Sequence, residues 1–293
     1  MKRLPFIVPF IFGAALGACS HEKTAETPAL TAEPVGTATA TATAEPVATT
    51  APTAPANDTP KVVPVDVPAD IAAIIAAPDR SADDRALDDG RHPGEMLAFF
   101  GIGKGQKVEE LGAGAGYTSE LLARAVGPTG KVYGQNSKLI LDKFAEKPWS
   151  ERLKKPFMKN VVRVDREFAD PIAPGVKDLD AVFVVLFYHD LYWMNVDRAA
   201  MNKAIFDSLK PGGIYGIIDH AAKTGAGSTE TQTLHRVEES TVEKDVEKAG
   251  FKLDHEGYFL RNPADTKDWS ASPGAAGANR GTSDRFVLVF KKP

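Results

Sequence analysis

Cysteine is almost missing from this chain of 293 residues: Cys19 stands alone. That excludes an internal disulfide, and it excludes a catalytic thiol in everything that follows residue 19. Charge of one sign is lacking too, with 35 Lys and Arg against 39 Asp and Glu and a net charge of −4. No basic stripe breaks that balance, so nucleic acid is not an expected partner. Apolar runs of bilayer length are also wanting. The run from Leu4 to Leu16 is too short to span comfortably, and Pro5 and Pro9 interrupt it. Large apolar side chains are scarce between His21 and Asp66, where Thr, Ala, Pro, Glu and Val dominate. A segment of that composition cannot offset its ordering entropy by burial, so it reads as a flexible tether.

The N-terminus carries a pattern of its own. Lys2 and Arg3 precede the short apolar run, and Leu16-Gly17-Ala18-Cys19 follows with small residues. This is the arrangement of a secretory signal rather than a transmembrane helix. Leu16 to Cys19 resembles the lipobox of bacterial lipoproteins, in which the cysteine becomes the lipidated first residue; the alternative is a plain signal peptide with an incidental cysteine. The expected organisation is therefore a signal peptide over 1–19, a disordered tether over 20–66 and a folded domain over 67–293. The expected location is the periplasmic face of the cell envelope, with the membrane reached through a lipid on Cys19. Nothing in the composition sets an oligomeric state.

The folded domain centres on Val108-Glu109-Glu110-Leu111-Gly112-Ala113-Gly114-Ala115-Gly116-Tyr117. Lys107 to Leu111 reads as a buried strand, the three glycines as a tight turn, and Thr118 to Val126 as the next helix. Glycine suits such a turn because the backbone takes unusual angles there and a ligand must approach it closely. The helix N-terminus then offers free N–H groups and a positive dipole end. The spacing is G-x-G-x-G, not the G-x-G-x-x-G of dinucleotide sites; Tyr117 takes the place of the third dinucleotide glycine.

Strands and helices alternate after it, which predicts a doubly wound α/β sheet. Ser81 caps a first helix, and Pro93 opens another that turns Met96, Leu97 and Phe100 to one face. Further strands are expected at Lys131 to Gln135, Asn160 to Val164, Ala181 to Phe187, Ile214 to Ile218, Phe251 to Leu260 and Arg285 to Phe290. Asn195 is expected to cap the helix carrying Met201, Ile205 and Leu209. Ser240 to Glu243 reads as a capping box for the helix carrying Val242 and Val246.

Together, E-x-G-x-G-x-G after the first strand, Leu209-Lys210-Pro211-Gly212-Gly213 before the fifth, and two closing strands resemble the class I S-adenosylmethionine (SAM)-dependent methyltransferases. The likeness covers about residues 80 to 293. It is nearest to a predicted bacterial methyltransferase branch with Y-H-D after strand four and D-H after strand five, here Tyr188-His189-Asp190 and Asp219-His220. The resemblance implies a seven-stranded, mostly parallel sheet in the order 3-2-1-4-5-7-6, with strand seven antiparallel and helices on both faces. It also implies SAM as cofactor and a Rossmann-like transferase.

By that likeness Gly112, Ala113, Gly114, Gly116 and Tyr117 form the cofactor turn, and Glu110 orients it or accepts from the cofactor's ammonium. Asn136 stands where the superfamily usually has an acid for the ribose hydroxyls. Asp165 either meets the adenine amine or caps a turn. His189, Asp190 and His220 leave strands four and five beside the expected methyl position and are the candidate catalytic residues, each histidine being either a base or a structural hydrogen-bonder. Asp219, His220 and His235 carry metal-ligating atoms, but no H-x-x-x-H or similar spacing supports a site, and no metal is expected. Tyr188, Tyr192 and Trp193 either wall a pocket or fill the core. The loop Ala222 to Thr231 is either a lid or ordinary surface, and Trp269 either covers the site or anchors its loop.

The implied activity is methyl transfer to a small molecule. No Asn/Asp-Pro-Pro-Tyr stretch follows strand four, unlike adenine- or glutamine-amide methyltransferases. Two other readings stay open: an exported SAM- or nucleoside-binding protein without transfer, and an NAD-dependent oxidoreductase, which the glycine spacing disfavours.

Overall fold

The computed structural model describes residues 64–293; the expected signal peptide, Cys19 and nearly all of the tether lie outside the described residues. Four short helices come first: α1 (Ala69–Ile75), α2 (Ala82–Arg85), α3 (Asp88–Arg91) and α4 (Pro93–Phe99). Ser81 caps α2 by accepting from the Asp84 N–H, and Pro93 starts α4 where its missing N–H costs nothing. Then follow β1 (Lys107–Leu111), α5 (Tyr117–Val126), β2 (Lys131–Asn136), α6 (Lys138–Ile140), a π-helical stretch (Leu141–Ala145) and α7 (Glu146–Leu153). The rest comprises β3 (Val161–Asp165), β4 (Leu179–Val185), α8 (Asp190–Trp193), α9 (Arg198–Ser208), β5 (Leu209–His220), α10 (Glu239–Glu247), β6 (Lys252–Gly257) and β7 (Arg285–Lys291).

The seven strands form one sheet in the order β3-β2-β1-β4-β5-β7-β6, as the resemblance implied. The strands from β1 to β5 pair in parallel, and β7 runs antiparallel to both of its neighbours. A central strand covered on both faces needs apolar residues throughout, and β4 supplies them from Ala181 to Val185. Phe183 joins the core beneath α4 and α5, while Val182 and Val184 join the opposite core beneath α9 and α10. The strand β1 splits in the same way, with Val108 and Leu111, an odd number of positions apart, in opposite cores.

Two caps differ from the sequence expectation. Asp197, not Asn195, caps α9 by accepting from the Ala200 N–H at 2.9 Å; Asn195 instead occupies a left-handed turn with φ 54°. Helix α10 begins at Glu239 with no side-chain cap, so Ser240 lies inside the first turn rather than before it.

Candidate active site

The glycine turn is held from behind by β2. Gly112 N–H donates to Gln135 Oε1 at 3.0 Å, and Ala113 N–H donates to the Gln135 carbonyl at 2.9 Å. Gly114 N–H donates to Asn136 Oδ1 at 2.8 Å, and Asn136 Nδ2 donates back to the Gly114 carbonyl at 3.1 Å. Asn136, the residue expected at the ribose, is buried with its amide paired to the turn. Asp165 is also elsewhere. Both of its oxygens accept from Arg163 Nε, at 2.8 and 2.9 Å, at the exposed end of β3.

The glycines serve different purposes. A Cβ on Gly116 (φ 83°) would lie 2.3 Å from Trp149, so this position is small because the interior behind it is full. A Cβ on Gly114 (φ 55°) would meet nothing closer than 4.0 Å, because the turn is open there. That open side faces a cavity of about 680 Å³. Glu110, Gly112, Ala113, Gly114 and Tyr117 line it, together with His189, Asp190, His220 and His235. Gly116, Asn136 and Asp165 do not.

Glu110 lies on the cavity side of β1 and accepts from the Ser119 hydroxyl. Burial pushes its carboxyl up to about 7, against the charge-stabilising hydroxyls of Ser119 and Thr118. Its neighbour Glu109 points into the opposite core, where neither carboxylate oxygen has a hydrogen-bond partner; burial pushes that group up to about 8.

Across the cavity, β4 and β5 end side by side, and Asp219 links them. It accepts from the backbone N–H of His189 and of His220, each at 2.7 Å, and from His189 Nδ1 at 2.7 Å. His189 Nε2 faces His235 Nδ1 at 3.2 Å and Asp190 Oδ1 at 3.3 Å. Burial works against a charged His189, but Asp219 and Asp190 outweigh it and raise the imidazole to about 10. His220 moves the other way: burial, then the neighbouring His189 charge, hold it well below the usual value. Its Nδ1 pairs with Ser283 Oγ at 2.7 Å. One imidazole is thus held charged and its neighbour neutral, the separation that acid–base sites use.

The aromatic candidates separate. Trp193 lines the cavity and donates from Nε1 to Asp190 Oδ1 at 2.7 Å. Tyr188 fills the core against Asn202, and Tyr192 pairs with Asp245. The segment from Ala222 to Thr231 does not line the cavity; Ala271 to Gly274 does. Trp269 anchors that second loop, its ring lying 4.6 Å from the Arg236 guanidinium, which is itself paired with Asp265.

Sequence reading missed the N-terminal wall. Asp84, Leu87 and Arg91 line the cavity, as does Arg152. Arg152 grips Asp84 through two hydrogen bonds of 2.6 and 2.9 Å and donates to the Ala115 carbonyl at 2.6 Å. No local pattern marks a partner that lies 68 residues away.

The likeness to known proteins follows this geometry. A SAM-dependent methyltransferase from Aquifex aeolicus superposes with a TM-score of 0.52 at 19% identity, covering 76% of this chain and 98% of its own. The domain has a methyltransferase fold. No family model matches the chain. A protein-L-isoaspartate O-methyltransferase from Methanosarcina mazei is 32% identical over 121 residues, which is 41% of this chain. The match spans 43% of that relative's length. Within the methyltransferase fold, the glycine turn follows β1 and the histidine cluster follows β4 and β5, so both lie at the carboxyl end of the parallel strands, where open α/β sheets bind ligands.

Proposed function

We propose that the domain is a SAM-dependent methyltransferase acting on a small-molecule acceptor. The observation that carries this reading is the shared cavity: the open face of Gly114 and the imidazoles after β4 and β5 border the same space. The residues fit the cofactor, since the cradle at Gly114 is one that a Cβ would fill and Glu110 supplies a buried carboxylate beside it. Gly112, Ala113 and Gly114 would hold the methionine part, and Glu110 would accept from its ammonium. Leu139, Ile140 and Phe144 offer apolar surface for the nucleoside. SAM supplies an electrophilic methyl on a sulfonium. The chain's own contribution is positioning, which accounts for much of the catalysis in an in-line transfer, together with a neutral His220 able to take the acceptor's proton.

Export and lipid attachment at Cys19 belong to the same proposal, supported by Leu16-Gly17-Ala18-Cys19 behind a short apolar run. A Cys19→Ala variant should leave the membrane fraction, and a variant that stays there would refute the anchor.

Calorimetric titration with SAM, S-adenosylhomocysteine and NAD(H), repeated with Gly114→Arg, tests the cofactor. SAM binding that the substitution abolishes supports the reading. Binding of NAD(H) alone, or of none of the three, overturns it. SAM binding with no turnover across a broad acceptor panel would favour a binding protein.

A further inference from the structure

We propose that His189, Asp190 and His235 form a binding site for a divalent first-row transition-metal ion. Three donor atoms converge: His189 Nε2, His235 Nδ1 and Asp190 Oδ1. Their separations are 3.2, 3.3 and 3.4 Å. A tetrahedral ion with bonds of about 2.0–2.1 Å holds its ligands about 3.3–3.4 Å apart, so one ion can reach all three with little movement. Two imidazoles and one carboxylate suit zinc, iron, cobalt or manganese better than calcium or magnesium.

The surroundings are those of a built site. Asp219 accepts from His189 Nδ1, so a metal ion would displace the Nε2 proton and ligate there. Trp193 Nε1 donates to Asp190 Oδ1 and orients that carboxylate, using one lone pair and leaving the other. His235 holds a left-handed backbone with φ 50°, strain that places its ring toward the other two donors. Charge points the same way. Among the described residues, the ion pairs of Asp190 and Asp219 are with histidine, never with lysine or arginine. A buried carboxylate, Asp219, beside a partly buried one, Asp190, is costly without a permanent cation, and a divalent ion neutralises both.

This set is not Asp219, His220 and His235, the metal-ligating residues noted in the sequence. Asp219 stands behind His189 rather than beside the ion, and His220 is turned to Ser283. Three protein ligands leave at least one position open, and all three ligand residues line the cavity. An acceptor hydroxyl or thiol coordinated there would lose its proton more readily, to His220 or to water. That role rests on the methyltransferase reading; ion binding does not.

The test uses the untagged full chain, stripped of metal by a chelator and then titrated with Zn²⁺ by calorimetry and with Co²⁺ by visible absorption. Expected are one equivalent bound and the ligand-field bands of a low-coordinate Co²⁺ site. His235→Ala and Asp190→Ala should remove the bands. Asp219→Asn should weaken Zn²⁺ binding by about 10- to 100-fold, and His255→Ala should change nothing. Should Asp190→Ala fail to fold by circular dichroism, the partly exposed His235 decides. No stoichiometric binding to the parent chain, or binding that survives His235→Ala, overturns the site. SAM titrated in parallel keeps the outcomes apart, since loss of one ligand need not follow loss of the other.

Discussion

Asn136 closes a two-bond ring on Gly114, accepting from its N–H at 2.8 Å and donating to its carbonyl at 3.1 Å. The residue at the tip of β2 therefore shapes the turn from behind instead of meeting a ligand in front. An aspartate can accept from Gly114 but cannot donate to its carbonyl. Asn136→Asp should lose about 1–3 kcal/mol of stability, the usual cost of a buried acceptor left unpaired, and should gain no SAM affinity. Urea denaturation and calorimetry check both halves. A variant that binds SAM more tightly at unchanged stability would return residue 136 to the ribose.

Gly114 and Gly116 should respond oppositely. Gly116→Ala drives a methyl against Trp149 in a left-handed backbone, so it should cost about 1–3 kcal/mol. Gly114→Arg also strains a left-handed backbone (φ 55°), at about 1–2 kcal/mol, but its side chain meets open space, so the fold should persist while SAM binding disappears. Melting temperature and affinity, measured on both variants, separate the two. Equal destabilisation by both would mean that the turn is open nowhere.

Glu110 links SAM binding to pH. With its carboxyl at about 7, roughly half the protein carries a proton there at neutrality. An ammonium needs the carboxylate, so affinity should fall by up to about tenfold for each pH unit below 7. Binding at pH 7 should release protons, seen as a heat that varies with the buffer's ionisation enthalpy. Glu110→Gln should lose that dependence; if it keeps it, another group titrates.

Glu109 makes a separate pH prediction, for stability. Its folded value of about 8 lies above the usual 4.5, so the folded protein keeps a proton that the unfolded chain has released. Its contribution is therefore complete below the unfolded value and declines as pH rises toward about 8, by about 1.4 kcal/mol per unit. Glu109→Gln should match the parent near pH 5 and exceed it near pH 8. Parallel pH slopes for the two proteins would show that Glu109 has a partner.

The central strand and the glycine turn were legible because they rest on short-range signals, the apolar run of β4 and three closely spaced glycines, whereas the sheet order came only with the methyltransferase resemblance that the glycine turn and Leu209 to Gly213 carry. The two misplaced caps rested on equally local signals. Asn195 and Asp197 both suit a helix start, and only the path of the chain from α8 decides between them. The roles of Asn136 and Asp165 needed knowledge of the facing strand and of Arg163. The histidine cluster was half legible. His189 and His220 follow strands and show themselves, whereas the meeting of His189 with His235 joins residues 46 positions apart. The N-terminal wall was not legible in the sequence, since its attachments to the turn, the Tyr117 hydroxyl donating to Asp88 and the Arg152 guanidinium reaching Asp84, join residues far apart in the chain.

That guanidinium also decides which part of the molecule yields when a ligand passes. Arg152 binds helix α2 and the Ala115 carbonyl at once, so the wall and the turn shift together or not at all. Leu139 and Phe144 have no such restraint: they border the same cavity and stand 42% and 75% exposed. These two side chains are therefore the ones expected to give way to a ligand, and shortening them should quicken ligand exchange while leaving the depths of the site as they are.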